Sequence, residues 1–223
     1  MVEFNVEILQ PDGTPIGSIM ATGMNGGDPP PGAPPESEVG SYAIIGGTGA
    51  FIGVRGQGAF AHMTGSNNNR SVIEDPANRR ANGGGSRSLI LQLIPRARPE
   101  VIVTSDGPSV FHTSDMALVT SDNPAHSGER LTLLAANLGP TTPSVDPGES
   151  FTAEPPNLVN APFEVLVNGT STEVFSAVGE PGSVNTYRVS FKLAESLGGH
   201  KATLRLIAAW MSGGEVNIHI CEQ

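Results

Sequence analysis

The 223-residue chain has a single cysteine, Cys221, so no intrachain disulfide can form, and the stapled scaffold of a small secreted domain is excluded. A chain of this length buries a core without staples, so the missing disulfide does not by itself exclude export. Aromatic residues make up 5% of the sequence and charged residues 15%. Positive charge is the scarcer kind, with 12 Lys and Arg against 22 Asp and Glu and a formal net charge of -10. Such a chain repels the phosphate backbone of nucleic acids and anionic membrane surfaces, and neither is expected as a partner. No run approaches the roughly 18 apolar residues of a membrane span. The opening MVEFNVEILQ has neither a basic start nor an unbroken apolar stretch, so no export signal is expected in the chain as written.

Glycine (28) and proline (19) are abundant instead, which favours many short strands joined by turns and sets all-β as the expected class. Three segments read as loops: the Pro- and Gly-rich Met24 to Gly40, the Asn- and Gly-rich Thr64 to Ser86, and Gly139 to Pro162. Alternation marks the strands. In YRVSFKL, Tyr187, Val189, Phe191 and Leu193 face one way, with Arg188, Ser190 and Lys192 opposite. KATLRLIAAW repeats the pattern through Ala202, Leu204, Leu206, Ala208 and Trp210, and EVNIHI through Val216, Ile218 and Ile220. Asn168-Gly169, between two such runs, is a strong hairpin signal. With ERLTLLAANL and SVFHTSDMALV, about six or seven strands follow residue 108, a count that suits a β-sandwich of the immunoglobulin-like kind.

The first part reads differently. In SLILQLI, Ser88 to Ile94, apolar residues occupy both faces: Leu89, Leu91 and Leu93 oppose Ile90 and Ile94. A strand of this kind is expected to be covered on both sides, as in a barrel wall packed on its outside by another domain or chain.

SYAIIGGTGAFIGVRGQGAF, Ser41 to Phe60, admits two readings. A strand ending in glycines and opening a helix would cradle a dinucleotide pyrophosphate on the helix N-terminus. After Gly53, however, Gly56 and Gly58 would each cost about 1 kcal/mol inside a helix, and no apolar stripe at helical spacing follows. The preferred reading is a β-hairpin whose glycines mark bulges, bends and close backbone approach.

On Gly46, Gly47, Thr48, Gly49, Phe51, Arg55 and Gly56 the hairpin resembles the GGTG-x-F motif of the allene oxide cyclase and dirigent family, eight-stranded barrels with a lipophilic lumen. The resemblance implies a lumen lined by Tyr42, Ile44, Arg55 and Phe60, a lipophilic small molecule inside it, and no cofactor. In that family the hairpin lies near the end of the barrel, whereas here one hairpin precedes it and one strand follows, so about half a barrel is expected. Either a second chain completes the sheet, or the half-barrel packs on the C-terminal domain, or the chain is a fragment in which Met1 is an internal start.

From Ser109 onward, LTLLAANLGPTTPSVDPGE, APFEVLVNGTSTEVFSAVGEPGSVNTYRVSFKL and the last two strands resemble the C-terminal Ig-like domain of exported Solibacter-type bacterial proteins. This implies an extracellular or cell-surface accessory role. The domains are expected at 1–105, a partial barrel, and 106–223, an Ig-like β-sandwich.

No catalytic constellation stands out. His62, His112, His126, His200 and His219 are scattered, with no pair at metal-ligand spacing. Asn217, His219 and Cys221 share a strand face, for which a structural role is the simpler reading. No nucleophile elbow accompanies the serines. Asp106, Asp115, Asp122 and Asp146 sit in turn contexts, where Asp caps its own backbone, and no calcium-loop spacing is present, so no metal is expected. Two functions follow. The first is a non-catalytic structural or interaction protein that forms a homo-oligomer; the second is a barrel that binds or cyclises a lipophilic molecule.

Overall fold

The computed structural model describes residues 2–24, 41–61 and 88–221. The first two predicted loops fall almost wholly outside these residues. Among the described residues there is no helix, and every sheet is antiparallel apart from one isolated parallel bridge, so the protein is all-β.

The first sheet runs in sequence order through β1 (Val2–Leu9), β2 (Pro15–Met24), β3 (Ser41–Gly49), β4 (Arg55–Ala61) and β5 (Ser88–Ile94). It is curled into a half-barrel. One face carries Phe4 and Val6, half-buried, with Ile19, Ala21, Tyr42 and Ile44, all buried. Strands are spaced about 4.8 Å apart, so Phe4 on β1 and Tyr42 on β3 stand two spacings apart. Their rings nonetheless meet edge to face at 4.7 Å, a contact the inward curl permits.

The glycines of β4 make room on this face. Gly58 lies between Tyr42 and Leu91 in register, and Gly56 between Ile44 and Leu93. A Cβ on Gly58 would stand 2.9 Å from the Leu91 Cδ2. At Gly58 the Leu91 side chain fills the space that a side chain on β4 would otherwise take. On β5 one of the two apolar faces is left exposed by this chain. Leu89, Leu91 and Leu93 are half-buried, but Ile90 and Ile94 are 64% and 65% exposed.

The remaining strands are β6 (Glu100–Val101), β7 (Val103–Thr104), β8 (Gly107–Pro108), β9 (Val110–His112), β10 (Arg130–Ala136), β11 (Thr141–Thr142), β12 (Leu158–Val159), β13 (Phe163–Val167), β14 (Thr170–Thr172), β15 (Val174–Gly179), β16 (Thr186–Lys192), β17 (Lys201–Ala208) and β18 (Met211–His219). One sheet is ordered β11-β12-β15-β16-β10-β6, with β9 also on β10, and a second is ordered β14-β13-β17-β18. Their buried residues form one core: Leu131 and Leu133 of β10 and Val189 and Phe191 of β16 join Val165 of β13, Leu204 and Leu206 of β17 and Ile218 of β18. Asn168 and Gly169 take φ of 49° and 81° between Val167 and Thr170, the two-residue hairpin expected of Asn-Gly.

One sequence expectation changes here. Trp210 does not continue the buried face of β17. Ala209 and Trp210 form the two-residue turn to β18, with φ of 49° and 62°, and Trp210 is 65% exposed. The segment from Gly139 to Pro162 is an ordered loop that contains β11 and β12 and is organised by two buried asparagines. Asn157 donates to the Pro143 carbonyl at 2.8 Å and accepts the Thr152 N–H at 2.8 Å. Asn160 accepts the Thr142 hydroxyl at 2.8 Å, donates to the Pro15 carbonyl at 3.2 Å and offers its own carbonyl to the Gln10 amide.

Two compact units result. Met1–Val6, Ile19–Gly46 and Val54–Ile94 form one; Glu7–Ser18, Gly47–Gly53 and Pro95–Gln223 form the other.

Candidate functional site

The glycine stretch is a hairpin, and it leads into β4 rather than a helix. Without a helix N-terminus it lacks the array of free amides that a pyrophosphate needs. Its glycines answer to backbone packing. A Cβ on Gly47 would lie 2.5 Å from the Phe51 carbonyl oxygen and 2.7 Å from that of Ser18, and one on Gly49, at φ +61°, 2.5 Å from that of Ile16. The Ser18 and Thr48 hydroxyls are hydrogen-bonded at 2.7 Å, and the Ala50 N–H donates to the Ile16 carbonyl at 3.1 Å. The turn also meets the two-sheet unit to which it belongs, since a Cβ on Gly139 would stand 2.8 Å from that of Ala50. Gly46 leaves space for Arg55, whose Nη1 comes within 3.6 Å of the position of a Gly46 Cβ. Gly56, at φ +151°, could not carry a Cβ without meeting the Gln92 carbonyl at 2.0 Å.

Of the four expected lumen residues, Tyr42 and Ile44 stand together on the concave face, 4% and 2% exposed. Arg55 is not with them. It is exposed and lies opposite Ile94 in register, so its charge stays in water rather than in the apolar face. Phe60 pairs in register with Leu89, and its side chain lies outside the described residues.

The histidines are less scattered in space than in sequence. His62 lies outside the described residues. His200 and His219 line an open depression of about 390 Å³ with Ser121, Pro124, Ile220 and Cys221. Asn217, on the same strand face, is engaged by the Thr203 hydroxyl at 3.0 Å. Among the described residues no group of three or more His, Cys, Asp or Glu side chains is placed to hold a metal ion.

The pair that sequence spacing did not reveal is His112 and Glu129. His112 is 7% exposed, with Nδ1 2.6 Å from Glu129 Oε1 and Nε2 3.2 Å from the Asn123 carbonyl oxygen. Glu129 Oε2 also accepts the His126 N–H at 2.8 Å. Burial, the largest single influence, pulls the His112 pKa down. The hydrogen bond to Glu129, the Asn123 carbonyl and the charges of Glu129 and Asp115 together outweigh it and hold the pKa above 6.5. A general base needs a free ring nitrogen. Both ring nitrogens of His112 are committed to hydrogen-bond partners.

No family model, curated protein or solved structure matches the chain. Its function must be argued from its own surfaces.

Proposed function

We propose that this protein is a non-catalytic structural or interaction protein that self-associates through its half-barrel sheet and carries an Ig-like sandwich. The observation that carries the reading is the β5 edge. β5 ends the sheet order and displays Ile90 and Ile94, both nearly two-thirds exposed, on either side of a ladder in which Gln57 Nε2 donates to Gln92 Oε1 at 2.7 Å. Ile45 on β3 is also exposed, at 46%. An open edge beside exposed isoleucines is a template for pairing with another strand, and a partner that covers it removes the hazard of non-specific aggregation. A second copy of the chain supplies a matching edge and apolar face in an isologous contact. An extracellular or cell-surface location belongs to the same reading and rests on the resemblance of the C-terminal strands to exported domains.

The test is molar mass in solution by light scattering over a dilution series, for the wild type and for Ile90→Lys with Ile94→Lys. A dimer or larger species in the wild type that falls to monomer in the variant is expected. A monomeric wild type overturns the reading. The concave apolar face of Phe4, Tyr42 and Ile44 favours a second reading, a site for a lipophilic small molecule. Saturable binding of an apolar fluorescent dye by a monomeric chain, abolished by Tyr42→Ala, would support it.

A further inference from the structure

His112 sits between two groups that can only accept. A carboxylate has no proton to give, and neither has a backbone carbonyl. With Glu129 Oε1 at 2.6 Å from Nδ1 and the Asn123 oxygen at 3.2 Å from Nε2, both bonds form together only if the ring, with its carboxylate, holds one proton more than a neutral imidazole beside an ionised glutamate. The two partners stand at different points of one connection, the 113–129 excursion. Glu129 immediately precedes β10, and Asn123 lies in a turn of the 113–129 excursion between β9 and β10.

That excursion is tied to the ring at several points. The His112 N–H donates to the Ala117 carbonyl at 2.9 Å, and the Met116 N–H donates to the His112 carbonyl at 2.8 Å. The Asn123 carbonyl that meets the ring also accepts the Thr120 N–H at 3.0 Å. Glu129 Oε2 holds the His126 N–H. Between Asn123 and His126 lies Ala125, fully buried, which makes the parallel bridge to Ile220. Its N–H donates to the His219 carbonyl at 3.0 Å, and its carbonyl accepts the Cys221 N–H at 2.8 Å.

We propose that His112, Glu129 and the Asn123 carbonyl form a proton-operated latch that keeps the 113–129 excursion closed on the C-terminal strand and releases it when the ring loses its second proton. The charged groups facing the ring are Glu129, at the head of β10, and Asp115, in the turn after β9. Arg130, next in the chain, turns away. Its Nε donates to the Ser190 hydroxyl at 2.9 Å and its guanidinium lies 4.2 Å from the centre of the Phe175 ring. Lys192 is paired with Glu195 at 2.5 Å. Deprotonation therefore takes a positive charge from beside Glu129 and Asp115 and turns a ring lone pair toward one of the two acceptors, which breaks that hydrogen bond. A ring lone pair held against an acceptor, on a histidine that is 7% exposed, is the driving force for opening.

The sign is definite. The fold holds the proton more tightly than the unfolded chain does, so the latch is intact below pH 6.5 and is lost as pH rises through the higher folded value. The experiment follows two signals on the full chain across neutral to alkaline pH. One is the protonation of the His112 ring nitrogens by NMR; the other is the protection factor of the Ala125 and Cys221 amides, corrected for the intrinsic exchange rate at each pH. The expected result is a ring midpoint above 6.5, loss of protection at both amides over the same interval, and a downward shift of both midpoints together in Glu129→Gln. Protection that stays constant while the ring titrates overturns the latch, as does a ring midpoint at or below 6.5. Should Glu129→Gln fail to fold, the two wild-type curves decide the matter alone.

Discussion

Tyr187 offers a test in which the structure sets sign, size and pH dependence at once. Its ring is 4% exposed and lies 5.1 Å from that of Phe151, and its hydroxyl donates to the Gly139 carbonyl at 2.6 Å. Tyr187→Phe keeps the ring contact and deletes the donor. The Gly139 carbonyl loses its partner at a half-buried position where water compensates only in part, so the expected loss is about 1.5 kcal/mol below pH 10. For a chain of this size that is a fall in melting temperature of about 3–6 °C.

Alkaline pH then inverts the comparison. Burial raises the Tyr187 phenol from 10.0 to about 12, against a smaller opposing effect of the Gly139 hydrogen bond. A folded pKa above the unfolded one means that the stabilisation is complete below pH 10 and drains away between 10 and 12. Two units correspond to at most about 2.7 kcal/mol. The variant has no phenol to ionise, and every other group titrates alike in the two proteins. The stability curves should therefore meet near about pH 11 and cross above it. Urea titrations of both proteins at neutral pH and at intervals up to about pH 12 measure the difference directly. A difference that stays constant with pH would refute the buried phenol, and a variant as stable as the wild type at neutral pH would refute the value placed on the hydrogen bond.

Two further substitutions probe the backbone argument. Gly47→Ala puts a methyl 2.5 Å and 2.7 Å from two carbonyl oxygens, so a loss of about 1–3 kcal/mol is expected in urea unfolding. A change within about 0.3 kcal/mol would show that the glycine turn yields more easily than its contacts imply. At Trp210, φ is 62° in an exposed hairpin turn, a conformation that Asn adopts more readily than an aromatic residue. Trp210→Asn is therefore expected to raise stability by about 0.5–1 kcal/mol, and thermal unfolding that moves downward instead would assign the indole a packing role.

Much of the fold was legible because strand patterning is local. Alternation at Tyr187, Val189, Phe191 and Leu193 reports which side of one strand meets the core, whatever covers it. Asn168-Gly169 encodes its turn in two residues. The same logic failed at Trp210, because two consecutive positive-φ residues without a glycine look like strand when read by hydrophobicity alone. At β5, apolar residues on both faces stated a need for cover without stating what supplies it.

What the sequence by itself determined is the all-β class, the hairpin at Asn168-Gly169 and the β-hairpin reading of the glycine stretch, since each follows from residues within about ten positions of one another. Only the tertiary structure decided that Arg55 stays in water away from Tyr42, that Gly139 must lack a Cβ because Ala50 lies against it, and that His112 meets Glu129 and Asn123. The physical reason is the same in all three cases. Hydrogen bonds and steric contacts depend on distances in space, and residues 11, 17 or 89 positions apart acquire those distances only when separate strands and turns pack.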